Sequence, residues 1–111
     1  MKFAVIGSRS FSDYKFLEKV LSTFDITEII SGGAKGADSL AEQYAKEHNI
    51  KTTVFLQDWN KYGKSAGFLR NADIINASDE VIAFWDGVSR GTLDSINKAK
   101  KLNKKVHVYK F

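Results

Sequence analysis

The sequence predicts an α/β protein whose five-stranded parallel sheet runs in the order 3-2-1-4-5, with helices on both faces. Three observations predict it. Short apolar, strand-like runs alternate with segments of helical spacing, and such alternation specifies parallel strands joined by helical crossovers. Lys2–Gly7 and Glu80–Trp85 are apolar almost without interruption, as strands covered on both faces are. The polar and glycine-rich segments follow the strands, which gathers them along one edge of the sheet, where open α/β sheets take their ligands.

Each element has its own reason. Lys2–Gly7 is a short continuous apolar strand. Leu17, Val20, Leu21 and Phe24 recur at helical spacing behind Ser12 or Asp13, either of which suits an N-cap. Thr27–Ser31 reads as the second strand. Ala37 to His48 forms a second helix with Leu40, Ala41, Tyr44, Ala45 and His48 along one face, stopped at Asn49. Lys51–Leu56, rich in Thr, Val and Phe, is the third strand. A long connection over 57–66 leads to a third helix over Gly67–Ala77, inward through Leu69, Ala72 and Ile75. After the fourth strand, Gly91-Thr92 opens a fourth helix with Leu93, Ile96 and Ala99 inward. Lys105–Lys110 is the fifth, edge strand, with Val106 and Val108 inward and His107 and Tyr109 outward. Right-handed crossovers then give a Rossmann-like three-layer sandwich. Its strand order reverses between strands one and four.

The 111 residues are expected to form a single domain, 1–111, and 43% hydrophobic content supports one core. The absence of cysteine excludes disulfides and thiolate metal sites. No His pair or carboxylate cluster has metal-ligand spacing, so no metal or cofactor is expected beyond a bound ligand. His48 and His107 read as structural. No apolar run approaches the ~18 residues of a membrane span, and Met1–Gly7 is too short for a signal peptide. A cytoplasmic protein without a membrane partner is the expectation. The net charge is +4, with Lys98, Lys100, Lys101, Lys104, Lys105 and Lys110 toward the end of the chain. These lysines suit a solvated helix C-terminus. The other reading is a nucleic-acid surface, without the aromatic interleaving that usually attends one.

Ser31-Gly32-Gly33-Ala34-Lys35-Gly36 carries the strongest functional signal. Three glycines at a strand-to-helix turn let the backbone approach a ligand, and the helix N-terminus beyond them offers free N–H groups. The segment is neither a P-loop nor a dinucleotide fingerprint, and a tight turn is its plain alternative. Gly7-Ser8-Arg9 follows strand one, with Arg9 a bidentate anion donor. Asp58-Trp59 follows strand three. Trp85-Asp86 and Ser89-Arg90-Gly91-Thr92 follow strand four, offering hydroxyls and N–H groups to a second anion or an ordinary helix cap. Trp59 and Trp85 are core residues or base-stacking surfaces. Asp38 caps the second helix or contacts a ribose. Arg70-Asn71 adds a second cation or lies on a solvated face, and Lys64 falls in the connection before it.

At these residues the chain resembles a known family. Ser31 to Ala41 looks like the signature of the SLOG superfamily, the Smf/DprA-like and LOG-like Rossmannoid proteins. Gly7-Ser8-Arg9, Asp58-Trp59, Tyr62 to Gly67, Arg70-Asn71, and Ala83 to Thr92 look like its small YspA-type branch, in order over nearly the whole chain. The resemblance implies a Rossmann-like fold that binds nucleotides or nucleotide-derived ligands. Its relatives include phosphoribohydrolases, DNA-binding DprA proteins and sensors of NAD-derived signals. LOG-type hydrolases carry Pro-Gly-Gly-x-Gly-Thr-x-x-Glu. Here Gly91-Thr92 keeps the Gly-Thr pair, but Ser95 stands at the glutamate, and Asp94 is turned ~100° away on a helix.

The expectation is therefore a domain that holds a nucleotide or ADP-ribose-like ligand as sensor or sequestering protein. Its ligand residues would be Gly7, Ser8, Arg9, Ser31, Gly32, Gly33, Ala34, Lys35, Gly36 and Asp38 from the first two loops. Asp58, Trp59, Lys64, Arg70, Asn71, Trp85, Asp86, Ser89, Arg90, Gly91 and Thr92 would complete the set. One alternative is an N-glycosidic hydrolase or transferase using Asp58, Asp86 or Asp94. Another is a single-stranded nucleic-acid binder. A homo-oligomer, with the Trp59–Ala66 connection as arm or lid, is a further expectation.

Overall fold

The computed structural model describes residues 1–56, 60 and 63–111 and, of Lys64, the main chain only. Its elements are β1 (Lys2–Gly7), α1 (Tyr14–Leu21), β2 (Glu28–Ser31), α2 (Ala37–Glu47), β3 (Lys51–Val54), a 3-10 turn (Gly63–Ser65), α3 (Ala66–Ala77), β4 (Glu80–Trp85), α4 (Arg90–Lys101) and β5 (Val106–Lys110). All strand pairs are parallel and the sheet order is β3-β2-β1-β4-β5, as the sequence predicts. β1 and β4 pair from Phe3 opposite Glu80 to Gly7 opposite Phe84.

Alternate residues of each central strand enter different cores. Phe3, Val5, Ile29, Ile82 and Phe84 pack with Leu17 and Leu21 of α1 and Ala41, Tyr44 and Ala45 of α2. Ala4, Ile6, Ile30, Val81 and Ala83 pack with Ile74 and Ile75 of α3 and Ile96 and Ala99 of α4. With two apolar faces to fill, these strands must be apolar at successive positions.

The helix ends follow from local chemistry. Asp13 is the N-cap of α1, its carboxylate accepting from the Phe16 N–H at 3.1 Å. The end of α3 is closed from a distance. Lys104 Nζ donates to the carbonyls of Ile75 (2.6 Å), Asn76 (3.3 Å) and Ser78 (2.6 Å).

Several sequence expectations need correction. Tyr109 and His107 do not point outward. Tyr109 packs on Phe16 and Phe84, while His107 meets Phe24 and bonds Glu80 at 2.8 Å. It is Val108 that is exposed. A sheet covered on both faces has no outward side, so alternation on its edge strand does not mark solvent. Leu69 and Leu93 are exposed; Ile75, Ile96 and Ala99 face inward as expected, joined by Ile74 on α3 and by Thr92 and Ser95 on α4. β3 ends at Val54, although the Phe55 N–H still reaches the Ser31 carbonyl at 2.9 Å.

Gly7 fixes where the layers meet. A Cβ there would lie 2.5 Å from the Phe84 carbonyl oxygen and 2.6 Å from the Ala37 Cβ. Only glycine allows β1, β4 and the first turn of α2 to converge so closely. The start of α2 is thereby pinned beside the point where the strand order reverses.

Candidate functional site

At that reversal lies a cleft of about 570 Å³. The β1–α1 loop contributes Ser8, Arg9 and Ser10 to its lining, the β2–α2 region Ala34 and Asp38, α3 Arg70 and Asn71, and the β4–α4 region Asp86, Ser89, Gly91, Thr92 and Ser95. Gly67, Phe68 and Ile74 of α3 also face it. The loops predicted to converge do so, from β1, β2 and β4.

The glycine loop is organised from within. Asp38, buried in the first turn of α2, accepts from the N–H groups of Gly32 (3.1 Å) and Ala34 (3.3 Å), while the Gly33 N–H reaches Ser31 Oγ at 3.3 Å. Asp38 thus does not cap α2; it shapes the loop before the helix and also lines the cleft. Burial pushes its carboxyl up to about 6, against the opposing pull of the two amides and Arg70. Gly36, at φ 81°, carries the N-cap position of α2. A Cβ there would lie 2.4 Å from the Ser8 carbonyl oxygen, so this glycine lets the β1–α1 loop cross the glycine loop.

Arg70 closes the cleft from α3. Its Nη1 donates to the Gly32 carbonyl at 2.8 Å and its Nε to Asn71 Oδ1 at 3.1 Å. Burial lowers its pKa, the Asp38 charge opposes that, and the neighbouring Arg9 charge adds to it. Arg9 itself forms no ion pair among the described residues. Two guanidinium groups therefore share one cleft.

Two of the three carboxylates proposed for catalysis, Asp86 and Asp94, have other partners among the described residues. Asp86 Oδ1 accepts from the N–H groups of Val88 (2.9 Å) and Ser89 (2.8 Å), and these amides hold its pKa below the ordinary carboxylate value. The Asp86 N–H in turn donates to Ser8 Oγ at 3.1 Å, tying the β1–α1 and β4–α4 loops together. Asp94 accepts from Asn71 Nδ2 at 3.2 Å and pairs with Lys98. It faces α3 and is not among the lining residues, whereas Ser95 is.

Other predicted residues fall outside the lining. Ser31 is buried and bonds Glu42 at 2.9 Å. Gly32 is covered by Arg70, and Gly33, Lys35 and Arg90 are exposed beside the cleft. Trp85 donates from Nε1 to the Ser89 carbonyl at 3.1 Å and packs on the α3–α4 core, so it braces the loop and does not line the cleft. Asp58, Trp59, Lys61 and Tyr62 of the Trp59–Ala66 connection, and the Lys64 side chain, lie outside the described residues. Phe68, Ser10 and Gly67 line the cleft without having been singled out; the available signal was an apolar residue on α3 next to Arg70-Asn71.

Fold and cleft together define a Rossmann-like α/β protein with an arginine-bearing cleft at the strand-order reversal. The family model of the YspA, cpYpsA-related SLOG family matches residues 1–62, and the chain belongs to that family. Gene 61 protein of Mycobacterium phage D29 is 35% identical over 79 residues, 66% of this chain and 63% of that protein. DNA processing protein A (DprA) from Streptococcus pneumoniae superposes with a TM-score of 0.81 at 24% identity, over 96% of this chain and 49% of that one. DNA processing protein A from Helicobacter pylori, whose structure was described for its single-stranded DNA binding mode, gives 0.74 at 24%, over 97% and 64%. The chain thus spans half to two thirds of the length of these relatives. The two DprA structures bear on the fold.

Proposed function

We propose that the cleft binds a nucleotide or nucleotide-derived ligand of the ADP-ribose type, and that the protein holds this ligand as a sensor or sequestering domain. The observation that carries the reading is the pair of guanidinium groups, Arg9 and Arg70, in one cleft. Like charges placed together are relieved by an anion, and arginine suits phosphate through its planar donor fork. The first turn of α4 adjoins the same space through Gly91 and Thr92, and helix N-termini favour negative charge. Its volume is in the range of small-molecule sites. Holding is favoured over cutting because the two candidate carboxylates among the described residues, Asp86 and Asp94, are engaged by amides, Asn71 and Lys98, and a serine lines the cleft at position 95.

Titration calorimetry against AMP, ADP, ADP-ribose and NAD tests this. At least one should bind more tightly than millimolar, and Arg9→Ala should weaken it roughly 10- to 100-fold, the loss of charge-assisted hydrogen bonds. No ligand binding below millimolar overturns the reading. Release of free base from a bound nucleotide would replace holding with N-glycosidic cleavage. A second reading, single-stranded nucleic-acid binding, is favoured by the likeness to Helicobacter pylori DNA processing protein A; at that identity it is an argument from fold.

A further inference from the structure

We propose that Phe68 is the stacking surface for a nucleobase, so that the cleft selects a base-bearing anion over a bare sugar phosphate; this rests on the nucleotide reading above. Among the described residues lining the cleft, Phe68 is the one aromatic side chain. It is 54% exposed, although it sits one residue from Gly67 and two from the half-buried Arg70. A phenyl ring left in water beside a polar cleft offers apolar area that a flat ligand can cover. Of the other tryptophans proposed for this role, Trp85 is committed to the Ser89 carbonyl and lies 5.3 Å from the Lys110 ammonium. Trp59 lies outside the described residues.

The surroundings of the ring fit the role. Lys98 Nζ stands 5.5 Å from the ring centroid. That ammonium is itself held by Asp94, which also accepts from Asn71. The chain Asn71–Asp94–Lys98 thus runs from the cleft to the ring and steadies it through a cation–π contact. The same cleft has open space on α4: a Cβ at Gly91, another lining residue, would meet nothing within 4 Å. The stripe Gly67, Arg70, Asn71 and Ile74 carries the cleft along α3, and Phe68 stands at its rim. A phosphate near Arg9 and Arg70 would leave the base to extend outward toward this ring. Stacking accepts any base, so it confers selection for a base without choosing which.

The test compares AMP with ribose 5-phosphate on the full chain, as wild type, Phe68→Ala and Phe68→Trp, by calorimetry. Phe68→Ala should weaken AMP about 5- to 100-fold, the range of base–aromatic stacking, and leave ribose 5-phosphate within about two-fold. Phe68→Trp should keep or strengthen AMP binding. The exposed position leaves the core untouched, and circular dichroism confirms folding. Equal weakening of both ligands, or an unchanged AMP affinity, overturns the stacking role while leaving the anion site standing. A wild type that binds neither ligand overturns both.

Discussion

Asp38 shows how one side chain can organise a whole loop. The sequence offers it as a helix cap or a ribose contact. Its carboxylate gathers the amides of Gly32 and Ala34 and faces Arg70, with Glu42 nearby as a like charge. Burial sets its carboxyl at about 6, above the ordinary 3.8, so the folded state holds the proton more tightly than the unfolded chain. Its favourable contribution is therefore full below pH 3.8 and is lost as the pH rises through about 6. Asp38→Asn keeps a carbonyl for the amides but removes the titration. Urea denaturation at pH 4 and pH 7.5 should show wild type losing stability relative to the Asn variant by on the order of 1–3 kcal/mol. A constant difference between the two proteins would show that Asp38 does not titrate in this window. Asp86 works in the opposite sense, since its lowered pKa places its loss of stabilisation at more acid pH, and the comparison with the variant cancels it.

At the scale of elements, the end of α3 depends on a residue far along the chain. Lys104 reaches the carbonyls of Ile75, Asn76 and Ser78 at the helix C-terminus, where the Ile75 carbonyl also accepts from the Ser78 N–H and hydroxyl. Lys104→Ala should cost about 1–3 kcal/mol in urea denaturation, the scale of hydrogen bonds to a charged group. An effect below ~0.5 kcal/mol would mean that water replaces the lysine freely. No sequence pattern announces this contact, because a long-range cap has no fixed spacing; from the sequence Lys104 is one of a run of surface lysines. The strand order and the switch-point location were legible because apolar runs and loop polarity are periodic features along the chain. The phase of α3 and α4 was legible in part: Ile75, Ile96 and Ala99 face the sheet as expected, but Leu69 and Leu93 are as apolar and lie exposed, a difference that only packing decides. The same limit hid Phe68. Its exposure, and not its residue type, marks it as part of the cleft.

For the whole molecule, the question is where a net charge of +4 acts. Two of the late lysines are occupied, Lys98 by Asp94 and Lys104 by the α3 carbonyls. Lys100, Lys101 and Lys105 are exposed. Lys100 and Lys101 lie in the last turn of α4 and Lys105 just past it, whereas the cleft reaches along α4 as far as Ser95, so ~7.5 Å of helix separates Ser95 from Lys100. A nucleotide in the cleft meets Arg9 and Arg70 but not these lysines, while a nucleic-acid strand could track from one region to the other. The salt dependence separates the cases, since affinity for single strands falls with slope ≈ −0.7 per phosphate neutralised. With two arginines engaged, a hexathymidylate should show a log–log slope near −1.4. Replacing Lys100, Lys101 and Lys105 together by Ala should then leave its affinity within about two-fold at 150 mM salt, as expected of exposed charges that line no part of the cleft and are screened by the salt. A slope steeper than about −3 that the triple variant flattens would make the lysine end of α4 part of a strand-binding surface. It would favour the nucleic-acid reading over a ligand confined to the cleft.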